Sequence, residues 1–233
     1  MDVLIYIGLI LLGGLLNFLW EPNAKSVYCL AKVYLILAIY LAIAVWVYYF
    51  AGITNEFLLK ALSIVIQYGG YLAHLALGYL SGNVLINLKS KDEKPIDPEL
   101  KSIIGFTLWA ISVTIGNSYL VFSVGKSTNM PYMIGFFKQS GYALWFLYFI
   151  IAAEAAGAIG ILLHFKLKTG TLASIGLALI TLGAVYTHLH NHDPFSDSYD
   201  ALSELLNLSF ILLLYYFEKQ VNRIPNDTQI YVI

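Results

Sequence analysis

Long apolar runs separated by short polar or charged connections dominate the chain. Seven can be marked off: Val3–Trp20, Val27–Phe50, Phe57–Leu88, Ile103–Val124, Gly141–Phe165, Thr171–His190 and Ala201–Phe217. A helix of about 20 apolar residues crosses the hydrocarbon core of a bilayer, and backbone polar groups there must be satisfied within the segment. The pattern therefore predicts an all-α, polytopic integral membrane bundle of about seven transmembrane helices. The third run exceeds one hydrocarbon thickness, so it is expected either to tilt or to break near Gly69-Gly70. Between the fourth and fifth runs, Ser127–Ser140 is less regular. Its Pro131, Phe136, Phe137 and Lys138 suggest a short interfacial helix.

The first run resembles a secretory signal only in hydropathy. Asp2 stands where a basic residue belongs and no small-x-small site follows, so it reads as an uncleaved span closed by Trp20 and the Glu21-Pro22-Asn23 turn. The segment Lys89–Leu100, K-S-K-D-E-K-P-I-D-P-E-L, is the only strongly charged loop, and its two prolines mark the natural boundary between halves. The expected organisation is three N-terminal helices over 1–88, a charged cytoplasmic loop over 89–102, a four-helix bundle over 103–217 and a cytoplasmic tail over 218–233.

Composition sharpens this picture. Apolar residues make up 59% of the chain and charged residues 12%, against about 25% charged in a soluble domain. A net charge of −1 with no basic patch argues against a nucleic-acid partner. The single cysteine, Cys29, excludes an internal disulfide or a CxxC redox pair. Basic residues also orient the chain. With the N-terminus outside, Lys25, Lys89, Lys91, Lys94, Lys101, Lys166, Lys168, Lys219 and Arg223 fall inside, and only Lys60, Lys126 and Lys138 outside. Lys32 snorkels toward the inner end of its span. By the positive-inside rule the C-terminus is cytoplasmic, in the plasma (inner) membrane, and the histidine-rich loop is on the non-cytoplasmic side. The Asn226-Asp227-Thr228 sequon then falls in the cytoplasmic tail.

Few residues remain that could carry chemistry. Glu154 lies in the middle of the fifth run, where a carboxylate costs a few kcal/mol unless it is protonated, paired or facing water. Ala153, Ala156, Gly157 and Gly160 around it admit a close neighbouring helix. It is a candidate catalytic proton acceptor or, equally, an interhelical hydrogen-bonding group. His188, His190 and His192 follow at the end of the sixth run, in V-Y-T-H-L-H-N-H-D-P-F. If the last turn is helical, His188 and His192 share a face, with His190 beside Tyr186 on another. Together with Asp193, Asp200 and Glu204 they could hold a divalent transition metal, or His188 and His190 could move protons. Histidines also suit the negative pole of a helix end. Asp197 and Asp200 are placed to cap or favour the start of the seventh helix. In the third run Gln67, Tyr71, His74 and Gly78 fall on one helical stripe, with Asn117 and Tyr119 in the fourth. Gln67, Tyr71, His74, Asn117 and Tyr186 are candidate ligand contacts, although hydrogen bonds between helices explain such residues equally well. His164, beside Lys166, reads as interfacial.

The C-terminal half, Ile103–Phe217, resembles the DoxX-like family of four-helix membrane proteins. The resemblance rests on A-A-E-A-A-G-A-I-G-I-L-L around Glu154, the K-L-K-T-G turn and the A-V-Y-T-H-L-H-N-H-D-P-F segment. It implies an up-and-down bundle with its site in the core. It also implies a functional acid at Glu154 and a histidine at His188 or His190 acting with Asp193-Pro194. Relatives include membrane subunits of quinone-linked sulfur oxidation and assembly chaperones for membrane receptors. Two functions follow as expectations. One is a membrane oxidoreductase component handling a quinone or lipid-like ligand with a redox partner. The other is a non-catalytic module: a chaperone, metal carrier or small-solute transporter. No dinucleotide or haem-attachment motif supports self-contained redox chemistry.

Overall fold

The computed structural model describes residues 2–19, 23–89 and 99–222. Trp20 and Glu21-Pro22, loop residues 90–98 with Lys91 and Lys94, and the tail from Arg223 with its sequon lie outside the described residues. Every apolar run is a helix: α1 (Asp2–Leu19), α2 (Ala24–Phe50), α3 (Glu56–Lys89), α4 (Leu100–Thr128), α6 (Leu144–Leu162), α8 (Gly170–His190) and α9 (Tyr199–Asn222). Two short helices complete the order, α5 (Met130–Gln139) and α7 (His164–Leu167), and a 3-10 turn (Phe195–Ser198) leads into α9. No strand occurs among the described residues. Among the described residues six helices are long and apolar enough to cross a membrane, and α1 is a shorter apolar helix over Leu4–Leu19. The faces turned outward carry Leu11, Phe18, Ile36, Ile43, Leu172 and Leu179, the surface expected of a protein whose solvent is lipid.

Local chemistry sets the helix ends. The side chain of Asn23 accepts the Lys25 N–H at 2.9 Å to cap α2, and Asn55 accepts the Leu58 N–H at 3.1 Å at the start of α3. Pro131 enters the first turn of α5, where its missing N–H costs nothing. α5 ends in a reciprocal pair of bonds, Tyr142 N–H to Phe137 C=O and Gly141 N–H to Lys138 C=O. Gly141 sits there at φ 78°, in the left-handed conformation this ending requires. α5 is the short helix the sequence suggests, with 10 residues. α3 runs unbroken for 34 residues through Gly69-Gly70, so of the two expectations, a tilt or a break, the break does not occur.

α4 is the axis of the fold, with Ile103, Ile104, Leu108, Ile111 and Ile115 all buried. It closes a ring with α6, α8 and α9 in which each helix packs on the next and α9 returns to α4. α2 packs on α4, with α3 against both, and α1 lies along α3 and reaches α9. The α1–α3 contact is between backbones. A Cβ on Gly78 would fall on the Ile10 carbonyl, and one on Gly13 on the Leu75 carbonyl and Tyr79 N–H. One end of the bundle carries α5 and the histidine-rich turn. The opposite end carries Lys25, Lys89, Lys101, Lys166, Lys168 and Lys219.

Candidate functional site

The acid of the fifth run is not alone. Lys126, in the last turn of α4, reaches across to α6 and places its Nζ 2.7 Å from both carboxylate oxygens of Glu154. Glu154 is 5% exposed, while the Lys126 side chain keeps 22% of its surface open. Both oxygens are thus engaged by a cation, and the pair is neutral as a unit. Lys126 was expected in an outer connection. The signal that finds it is a stripe at i, i+4 and i+7 on α4. Tyr119 bonds the Thr181 hydroxyl on α8, Ser123 donates to the Ile151 carbonyl at 3.0 Å, and Lys126 takes the carboxylate.

At the α5 end, α8 closes with the same reciprocal bonding as α5. Asp193 N–H donates to His188 C=O and His192 N–H to Leu189 C=O. His192 takes the left-handed position at φ 59° that Gly141 holds after α5. The helix therefore stops at His190, and His188 and His192 do not share a helical face as the spacing suggests. The turn instead brings Asp193 back onto its own helix, where its Oδ2 accepts the His188 Nδ1–H at 2.8 Å. A neutral His188 in this tautomer keeps Nε2 as its basic nitrogen. His190 stacks on Tyr186 with ring centroids 5.8 Å apart.

The six residues expected to hold a metal are not gathered. His188 and Asp193 pair, His190 faces Tyr186, and His192 serves the backbone turn. Asp200 is exposed on α9, whereas Glu204 is buried one turn deeper. Among the described residues no group of three or more His, Cys, Asp or Glu is placed to hold a metal ion. Asp197 lies inside the 3-10 turn and accepts the Ser196 hydroxyl at 3.1 Å, so the expected helix cap is replaced by a local bond.

His188 and Asp193 form part of the wall of a cavity of roughly 400 Å³ between α5 and the end of α8. Tyr132, Phe136, Gln139 and Asp197 complete the part of the lining that bears on chemistry. The Phe136 ring lies 5.6 Å from that of His188. The site therefore offers aromatic surface, an amide, a carboxylate-oriented imidazole and a second carboxylate.

The α3 stripe divides. Gln67 donates to the Tyr71 hydroxyl at 3.0 Å on an exposed face, whereas His74 and Gly78 face protein. His74 donates from Nδ1 to the Gly70 carbonyl at 2.7 Å and meets Asn207 of α9 through Nε2 at 3.2 Å. Tyr6 of α1 stacks on its ring at 3.9 Å. Asn117 accepts the Trp46 indole N–H at 2.7 Å and so ties α4 to α2. Glu204 faces Ser118 and Asn207, and its Oε2 has no hydrogen-bond partner among the described residues.

His164, at the lysine-rich end of the bundle, is buried, 3% exposed. Its Nδ1 accepts the Gly170 N–H at 3.2 Å, so Nε2 carries the proton donated to Glu218 at 3.0 Å. Glu218 also accepts from Lys168 at 3.1 Å, and Tyr215 packs on the imidazole at 4.1 Å. This clamp joins the α6–α8 turn to the far end of α9.

Residues 110–214 match the model of the DoxX-like family. The match takes in α5, α6 and α8 and about two thirds each of α4 and α9, and excludes α1, α2 and α3. No curated protein and no solved structure matches the chain.

Proposed function

With its C-terminal bundle DoxX-like over residues 110–214, we propose that this membrane protein is a quinol-handling component of a membrane redox system. The observation that carries the reading is the His188–Asp193 bond on the wall of an aromatic-flanked cavity. Oxidation of a quinol releases two protons and two electrons. One ring hydroxyl in the cavity gives its proton to His188 Nε2, Asp193 holds the ring in that tautomer and steadies the imidazolium formed, and the second ring hydroxyl gives its proton to bulk water. Tyr132 and Phe136 supply surface for the quinol ring. The electrons leave to a redox partner protein, because this chain carries no Cys pair or haem-attachment motif. The lysine distribution supports the α5 end facing outward from the plasma membrane and the lysine-rich end facing the cytoplasm.

The test is binding of a short-chain quinol to the full chain in lipid nanodiscs, beside quinol oxidation in membranes that hold the native partners. His188→Ala is expected to lower turnover by about two orders of magnitude, in the range of a lost general base. Asp193→Asn should retain most of the binding while slowing proton release. If the intact protein neither binds a quinol nor supports its oxidation with partners present, the reading is wrong.

A second reading, a non-catalytic membrane module, draws support from Glu154. Its carboxylate is neutralised by Lys126, an arrangement that binds α4 to α6 and needs no substrate. Under that reading His188→Ala leaves redox turnover in the same membranes unchanged, while capture of a membrane partner persists.

A further inference from the structure

Lys32 stands inside the apolar span Lys25–Phe50, on an outward face of α2 where lipid is the solvent. Its side chain lies back along the helix toward the lysine-rich end. Nζ sits there 4.1 Å above the centre of the Tyr28 ring, one turn earlier on α2, and 5.8 Å from that of Phe106 on α4. The two rings meet edge to face with centroids 5.6 Å apart, so they form one aromatic bed across the seam between the helices. Ring faces attract a cation, and the bed holds this flexible side chain in one direction.

The bed fixes the ammonium and leaves its charge unmatched. Lys126 and Lys168 are each held by a carboxylate, but Lys32 has no ion pair among the described residues. An ammonium carries three N–H donors, and ring faces do not serve them all. Inside a span such a group needs water or an anion, and depth decides between the two. At 1.5 Å per residue Lys32 lies about 10 Å along the span from Lys25, and folding back over Tyr28 recovers about 6 Å. Nζ therefore stays short of the start of the span, at the level where a phospholipid carries its glycerol and phosphate. Lys25, Tyr28 and Lys32 lie on one helical stripe, at i, i+3 and i+7. Lys25 is exposed and also without an ion pair among the described residues. Reaching inward as Lys32 reaches outward, it can meet the same phosphate from the other side. Ser102, exposed one turn before Phe106 on α4, adds a hydroxyl on the headgroup side of the bed.

We infer that the α2–α4 seam at the lysine-rich end binds the phosphate of an anionic phospholipid from the adjoining leaflet. Lys32 and Lys25 are its cations, and the Tyr28 and Phe106 rings lie against its glycerol and first acyl carbons. Charge selects the lipid class. A phosphodiester whose headgroup adds no cation is attracted by both lysines, whereas an ethanolamine or choline headgroup brings a third positive charge into the same space. A lipid held there bridges α2, which lies outside the DoxX-like match, to α4, the axis of the fold.

The experiment needs no quinol and so stands apart from the reading above. The full chain, delipidated in a mild nonionic detergent, is titrated with an equimolar mixture of phosphatidylglycerol and phosphatidylethanolamine of matched acyl chains. Native mass spectrometry counts the lipids bound. A lysine beside an anionic headgroup is worth about fivefold in binding, so the parent chain should prefer phosphatidylglycerol by about tenfold or more. Lys32→Met should cut that preference by about fivefold, and Lys32→Arg should keep it. Lys25→Met, at the exposed start of α2, should lower it by a similar factor and serves as a second variant if Lys32→Met does not fold. Lys60→Met removes an exposed lysine near the opposite end of the bundle and should change nothing. Equal binding of the two lipids by the parent chain would overturn the inference. So would a preference untouched by Lys32→Met or Lys25→Met, or one lost equally in Lys60→Met. Displacement of the bound lipid by an equal concentration of glycerol 3-phosphate would also overturn it, because the site would then take a phosphate from water rather than from the leaflet.

Discussion

At the scale of single residues, the Lys126–Glu154 pair reverses the obvious expectation for the acid. A lone buried carboxylate would tolerate conversion to the neutral amide, but here Glu154→Gln leaves the Lys126 ammonium facing a protein wall without its counter-charge. Breaking a buried pair from one side costs on the order of 3 kcal/mol, and Lys126→Met should cost a similar amount by stranding the carboxylate. Replacing both partners with apolar residues should return stability to within about 1 kcal/mol of the parent chain. Unfolding in mixed micelles, followed as a double-mutant cycle, checks this. Additive losses would show that the pair carries no coupling. The sequence revealed Glu154 readily, since an acid in an apolar run stands out. It did not reveal the partner, which lies 28 residues earlier and belongs to another helix. For the same reason His74 could be picked out while its contact to Asn207, 133 residues away, could not.

At the scale of elements, the seven apolar helices were legible because lipid imposes length and apolarity on each one separately. Their ends were legible only where a turn residue announced itself. Gly141 signals the left-handed stop after α5, whereas His192 performs the same task after α8 with a side chain that reads as chemistry. Gathering the histidines into a metal site failed for that reason. Packing between elements depends on features such as the α1–α3 backbone contact at Gly13 and Gly78. Gly78→Ala should destabilise the chain by about 1–3 kcal/mol, because the new methyl must push the Ile10 carbonyl away. Gly8→Ala meets nothing within 4 Å and should be neutral or gain up to about 1 kcal/mol from helix propensity. Thermal denaturation of the two variants side by side separates a packing requirement from a general cost of losing glycine.

At the scale of the whole molecule, the antiparallel ring puts Lys101, Lys166, Lys168 and Lys219 at one end and the His188–Asp193 cavity, with Lys126 and Lys138, at the other. In a background with Cys29→Ser, a cysteine at Ser196 should react with a membrane-impermeant maleimide from outside intact cells. One at Lys166 should react only after permeabilisation. The opposite pattern would invert the orientation and move the cavity to the cytoplasmic face.

The clamp of His164 and Lys168 on Glu218 has a consequence for how the protein is made. Its acceptor lies 54 residues after the buried imidazole it serves, near the end of the last helix. During synthesis α6, α7 and α8 emerge with His164 still lacking its acceptor, and only a finished α9 supplies it. Nascent chains that terminate before Glu218 therefore keep an unsatisfied N–H in an apolar setting, a state that membrane quality-control proteases can read. Glu218→Gln, which retains an acceptor oxygen, should accumulate close to parental levels. A stop codon at the same position should lead to rapid turnover in a pulse-chase measurement.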